Sequence, residues 1–142
     1  MQNPRQKVVV YCVQGDNLLV FRHIDFPWEE VGIQVPAGSI REGEDPNDAA
    51  LRELQEETGF KDFEIEAYLG ADTYNLNPYR DEIQERHFFL ARPTKELPQR
   101  WNSQEDHEGK EHPTRLECFW IPLRRAHVLQ SGQGSMLYKL GA

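Results

Sequence analysis

The stretch Gly38-Ser-Ile-Arg-Glu-Gly-Glu44-Asp-Pro-Asn-Asp-Ala-Ala-Leu-Arg52-Glu53-Leu-Gln-Glu56-Glu57-Thr-Gly59-Phe60 reads as a glycine loop followed by one short helix. Asp45 is a good N-cap, and Pro46 stands where proline suits the first helical position. Asp48 adds negative charge to the first turn, where the helix dipole favours it. Ala49 to Glu57 are mostly strong helix formers, and Gly59 is placed to end the helix in the left-handed conformation. At about 100° per residue, Ala50, Leu51, Leu54 and Thr58 form a stripe that should pack inward. Glu53, Glu56 and Glu57 have the spacing i, i+3, i+4, so their carboxylates converge on a neighbouring stripe, with Ala49 between them adding no bulk. Like charges so close destabilise a helix, and a compensating partner is expected. A hard divalent cation fits best, because Mg²⁺ takes oxygen ligands and keeps waters that a substrate phosphate can replace. Arg52, one turn before Glu56, can hold that carboxylate by a charge-assisted contact. The plain alternative is a solvated acidic helix face.

The order and spacing resemble the Nudix box, Gly-x5-Glu-x7-Arg-Glu-U-x-Glu-Glu-x-Gly-U with U apolar. Gly38, Glu44, Arg52, Glu53, Leu54, Glu56, Glu57, Gly59 and Phe60 fill every specified position, Phe60 being aromatic where an aliphatic residue is commoner. The resemblance implies a metal-dependent pyrophosphohydrolase that cuts a nucleoside diphosphate linked to some moiety X, with Mg²⁺ or Mn²⁺ as cofactor. It also implies an α/β fold, an α/β/α sandwich around a mixed sheet. Glu56 and Glu57 match the family's metal ligands. Glu53 matches a residue that is a ligand in some members and a proposed general base in others. Its other role is to orient metal-bound waters. Gly38 enters the metal site through its main-chain carbonyl; on its own residue type it supplies a turn conformation closed to other residues. Arg52 belongs to the catalytic set with Glu53, Glu56 and Glu57. Glu44 either reaches the metal through water or holds the loop. Many members take one further carboxylate from outside the box. Glu82, Glu85, Glu105, Glu108 and Glu111 are available, and Glu108 and Glu111, in an acidic loop before the last strand, are the ones singled out.

The 142 residues suit one domain over 1–142 with a real core, at 38% hydrophobic and 28% charged residues. A net charge of −8 argues against duplex nucleic acid and anionic membrane as partners. Polyanionic small molecules stay open, because a bound cation reverses the local field. Cys12 and Cys118 lie in apolar runs and read as reduced core residues. No apolar stretch approaches membrane-spanning length and the first residues lack a signal-like segment, so a cytoplasmic protein is expected, as monomer or homodimer.

Lys7 to Val13 and Leu18 to His23 read as a hairpin around Gln14-Gly15-Asp16-Asn17. Gly32 to Pro36 reads as a short strand, Phe63 to Leu69 as another, Ala71 to Glu82 as a loop, Ile83 to Ala91 as a central strand and Leu116 to Ile121 as the last strand. Residues 94–113 are the least structured by composition. A helix is expected from Pro122 to about Gln130, and a final helical turn at 135–140. Substrate candidates are the loop aromatics Trp28, Tyr74, Tyr79 and Trp101, with Arg80, Arg86 and Arg41 for phosphate; Trp120 reads as core. A nucleotide- or metabolite-binding module without catalysis is the alternative function. Retention of Glu53, Glu56 and Glu57 favours the enzyme. An isomerase on the same fold ranks last, because its chemistry calls on a reactive cysteine.

Overall fold

The run Val8 to Val13 is buried at every position, as a strand covered on both faces must be. In the computed structural model, which describes residues 3–27, 30–105 and 113–140, this run lies in β1 (Arg5–Gln14). The chain continues through β2 (Asn17–His23), β3 (Ala37–Ser39), α1 (Pro46–Thr58), β4 (Phe63–Asn75), β5 (Ile83–Pro93), β6 (Arg100–Glu105) and β7 (Thr114–Pro122). Two 3₁₀ turns follow, Leu123–Val128 and Leu137–Leu140. The strand order is β4-β5-β1-β2-β7-β6, with β3 also on β1. β1 runs parallel to β5 and the other pairs are antiparallel, so the sheet is mixed.

β1 is the point at which the sheet forks. Near its end it meets β2 through Val13↔Leu18 and Gln14↔Asn17, while near its start it meets β3 through Lys7↔Ser39, Val8↔Gly38 and Val9↔Ala37. β2 turns away and pairs with β7 along its whole length. Two half-sheets therefore share one end and part at the other. Residues 32–36 cross the gap. Gln34 exchanges backbone bonds with Phe21 at 2.9 and 3.1 Å, and the Val10 N–H donates to the Pro36 carbonyl at 2.8 Å.

Ala49, Ala50 and Leu54 of α1 close one face of the sheet over Val8, Val10, Cys12 and Phe89. The opposite face, with Val9, Tyr11, Leu18, Val20 and Phe88, is covered by Ala126, Leu123 and Leu137 of the 3₁₀ turns. This is the expected α/β class, a mixed sheet between helical layers. Cys12 and Cys118 are free and buried, and burial pushes their thiols up to about 12 and about 11. Among the described residues no helix is long and apolar enough to cross a membrane.

Four segments differ from the sequence expectation. Residues 32–36 make a single bridge, Phe21↔Gln34, and strand pairing starts only at Ala37, because this segment spans the fork. β4 runs on to Asn75 through a stretch expected as loop, since β5 offers it partners from His87 back to Ile83. Within the tract expected to be least structured, β6 pairs with β7 from Arg100↔Phe119 to Glu105↔Thr114. Its outward residues Arg100, Asn102 and Gln104 are polar, which disguises the alternation. The helix after Pro122 is 3₁₀: no side chain caps its start and Leu129 is already extended.

The helix itself matches its local signals. Asp45 accepts from the Asn47 N–H at 2.8 Å, and Gly59 has φ 80°. Asp45→Ala is expected to cost about 1 kcal/mol of stability, read as a lower urea midpoint at unchanged slope. An unchanged midpoint would show that packing alone holds α1.

Candidate functional site

The last turn of α1 ends in carbonyls with no partner inside the helix. Two side chains of β6 supply partners: the Ser103 hydroxyl donates to the Glu57 carbonyl at 2.5 Å, and the Trp101 indole N–H donates to that of Thr58 at 2.8 Å. Phe60 stands edge-on to Trp101, with ring centres 5.2 Å apart. These contacts seat the end of α1 on β6. Side chains alternate along a strand, so Glu105 faces the same way as Trp101 and Ser103. Carboxylate oxygens of Glu53, Glu57 and Glu105 then lie within 4.8 Å of one another.

Glu53 and Glu57 are 8% and 7% exposed, so these two carboxylates are not part of a solvated helix face, whereas Glu56 is exposed. Glu57 accepts from the Ala37 N–H at 3.0 Å. Gly38 lies in β3 without a left-handed φ, and a Cβ there would overlap the Glu53 carboxylate. Close approach, rather than a special turn conformation, is what requires glycine at 38. Arg52 reaches further than a contact with Glu56. Its guanidinium donates to Glu44 at 2.8 and 2.9 Å, to Glu53 at 2.8 Å and to the Ser39 carbonyl at 2.9 Å, and more weakly to Glu56 at 3.4 Å. Glu44 also accepts from the Arg41 N–H, closing the loop before the helix. The Arg52 contact holds Glu44 down at about 2. Burial pushes Glu53 up to about 7 against the pull of Arg52, and burial followed by the charges of Glu53 and Glu105 holds Glu57 well above the usual carboxylate range. A donor set made only of oxygens, crowded and poorly hydrated, fits a hard divalent cation such as Mg²⁺ or Mn²⁺.

Beside this group opens a cleft of about 370 Å³ lined by Glu57, Glu105, Lys7, Gln34, Tyr74 and Gln84 among others, within the size range of small-molecule sites. Tyr74 is thus brought to the site, with the Arg86 guanidinium 4.4 Å above its ring. Tyr79 is 95% exposed and Arg80 is exposed, and neither lines the cleft. Trp101 is not in a loop and does not line it either; its indole is committed to α1. Glu56 lies on the outer edge of the helix, 3.4 Å from Arg52 and 3.7 Å from Arg41. Trp28, Glu108 and Glu111 fall outside the described residues. Lys7, Gln34 and Gln84 were not foreseen. Alternation along β1 places Lys7 on the face of Val9 and Tyr11, but nothing local says that the sheet forks there.

A family model described as NUDIX domain matches residues 3–140. An ADP-ribose pyrophosphatase of Bacillus subtilis (strain 168) is 30% identical over 109 residues, 75% of this chain and 55% of that protein. A methanol dehydrogenase activator of Bacillus methanolicus is 32% identical over 93 residues, 65% of this chain and 48% of that one. The chain thus spans about half the length of these curated relatives. Among solved structures, the E. coli dihydroneopterin triphosphate pyrophosphohydrolase superposes with a TM-score of 0.71 at 15% identity, over 99% of this chain and 100% of that one.

The raised carboxyls set a pH dependence. Glu53 and Glu57 bind protons more tightly folded than unfolded, so their contribution is complete below the unfolded value near 4.5 and is lost as pH rises through the folded value, about 7 for Glu53. In chelator, the melting temperature is expected to fall between pH 5 and pH 8, by roughly 5 °C or more. Millimolar Mg²⁺ or Mn²⁺ should shrink that fall by taking the place of the protons. A flat profile in chelator would contradict the burial of these carboxylates.

Proposed function

The chain belongs to the Nudix family, and on that premise we propose that it hydrolyses a pyrophosphate bond in a nucleoside diphosphate linked to another moiety, using Mg²⁺ or Mn²⁺. The convergence of Glu53, Glu57 and Glu105 beside a cleft of small-molecule size is the observation that carries this reading. A protein that only bound a nucleotide would have no need to hold three carboxylates together at the cost of burying two.

Glu53, Glu57 and Glu105 are the residues that would hold the cation, with Glu56 at the outer edge and the Gly38 carbonyl as the family resemblance implies. When bound, the cation neutralises charge on the diphosphate oxygens and makes a water nucleophilic. Arg52 fixes the Glu53 carboxylate from one side, while the absence of a side chain at Gly38 leaves room for it on the other. Ser103 and Trp101 keep the helix end in register with β6, and hence Glu57 with Glu105. Tyr74, which also lines the cleft, offers a ring for the organic part of the substrate. Arg86 steadies that wall by bonding Asp72 and the carbonyls of Ser131 and Gly132. Glu105, which the structure brings to the group, is proposed as the carboxylate from outside the helix. A cytoplasmic location is proposed with this reading.

The test is a panel of ADP-ribose, nucleotide sugars, dinucleoside polyphosphates and nucleoside triphosphates, assayed with Mg²⁺, with Mn²⁺ and with chelator. ADP-ribose comes first, because the Bacillus subtilis relative is named for it. Turnover that needs the cation supports the reading, and full turnover in excess EDTA contradicts it. Within the site, Glu57→Gln is expected to lower kcat by more than about 100-fold, and Arg52→Gln by about 10- to 100-fold, because the arginine acts through Glu53 and Glu44. Near-normal kcat in Glu57→Gln would place the cation elsewhere.

A further inference from the structure

Three basic side chains line the cleft among the described residues, Lys7, His23 and Arg86. Arg86 is fully engaged: it donates to Asp72 at 3.1 and 3.2 Å and to two carbonyls at 2.8 and 3.2 Å. The His23 ring meets the Gln34 side chain at 3.0 Å. Lys7 is different. Its ammonium has the Ser39 hydroxyl at 3.3 Å as its described hydrogen-bond partner, and no described carboxylate stands within ion-pair distance. It is half-buried at the start of β1, opposite Ser39 on β3 and beside Arg86 on β5. Burial, and then the neighbouring Arg5, hold its pKa below the ordinary lysine value, while Glu82, Glu53 and Glu57 pull the other way.

We propose that Lys7 is a substrate-binding residue, whose ammonium takes the non-bridging oxygens of the diphosphate at the open end of the fork, where β2 has diverged and β3 pairs with β1. The assignment rests on the hydrolase reading above and deepens it. A half-desolvated ammonium facing a cleft, with one hydroxyl to bond among the described residues, has donors left over. Lysine binds phosphate as a compact point charge. Glu57, Glu105 and Lys7 line one cleft, so a diphosphate held by a cation on the carboxylates brings its remaining charged oxygens within the field of Lys7. Tyr74 and Gln84 line the same cleft and receive the uncharged remainder. Lys7 therefore governs affinity for the anion, whereas Glu53, Glu57 and Glu105 govern affinity for the cation.

The experiment is a calorimetric titration with α,β-methylene ADP in saturating Mg²⁺, on the parent chain, Lys7→Met, Lys7→Gln and Lys7→Arg. The two neutral variants should weaken Kd by roughly 10- to 100-fold, the loss of one charged hydrogen bond. Lys7→Arg should recover most of the affinity. Mn²⁺ binding without nucleotide, followed by electron paramagnetic resonance, should be unchanged in every variant. On any diphosphate that the parent cleaves, KM should rise by the same factor and kcat should change less. Unchanged nucleotide affinity in both neutral variants overturns the assignment. So does failure of the parent to bind the analogue, failure of arginine to recover binding, or a parallel loss of Mn²⁺ affinity. If the parent binds the analogue through Lys7 but cleaves nothing in the panel, the hydrolase reading fails and the phosphate site stands.

Discussion

Glu53 and Glu57 sit almost wholly out of water at the seam between α1, β3 and β6, and much of the structure answers to that placement. A buried carboxylate needs a hydrogen bond, a counter-charge or a proton. Glu53 has Arg52, and Glu57 has the Ala37 N–H. Neither arrangement restores an ordinary carboxyl, and both groups hold protons more tightly than free glutamate does. Gly38 must lack a side chain for Glu53 to fit, and Ser103 and Trp101 must grip the helix end for Glu57 to face Glu105. The same crowding gathers three oxygen donors of the kind that suits a small hard cation.

The fork of β1 is the second constraint. Parallel pairing with β5 holds the strand from Arg5 to Cys12, the hairpin with β2 holds its far end, and the divergence of β2 opens the near end. The crossing segment 32–36 bonds both banks and delivers Ala37 and Gly38 to the carboxylates. The tail of the chain ties the far wall. Gln133 accepts from the Val35 N–H at 2.8 Å, the Tyr11 hydroxyl donates to the Gln133 carbonyl, and Arg86 fixes residues 131 and 132. The cleft is thus framed by contacts that are distant in sequence, while its charged groups come from the helix, β1, β5 and β6.

Much of this was legible in advance where the physics is local. Asp45, Pro46 and Gly59 mark the ends of α1 through capping and backbone preference, and helical spacing groups Glu53, Glu56 and Glu57. Strands with continuous apolar character, β1, β2 and β7, were equally plain. The misreadings fall where pairing decides. Polar outward residues hid β6, and Trp101, an aromatic in an apparent loop, proved to be the partner of the Thr58 carbonyl.

By itself, the sequence determined that one amphipathic helix carries an ordered set of Arg and Glu residues behind a glycine loop, because capping, turn and periodicity act over a few residues. Tertiary structure alone decided that Glu53 and Glu57 are buried, that Glu105 joins them, that Arg52 serves Glu44 and Glu53 more than Glu56, and that Lys7 faces the cleft. Each of these depends on where one strand edge meets another, and strand register is set by the packing of segments far apart in the chain.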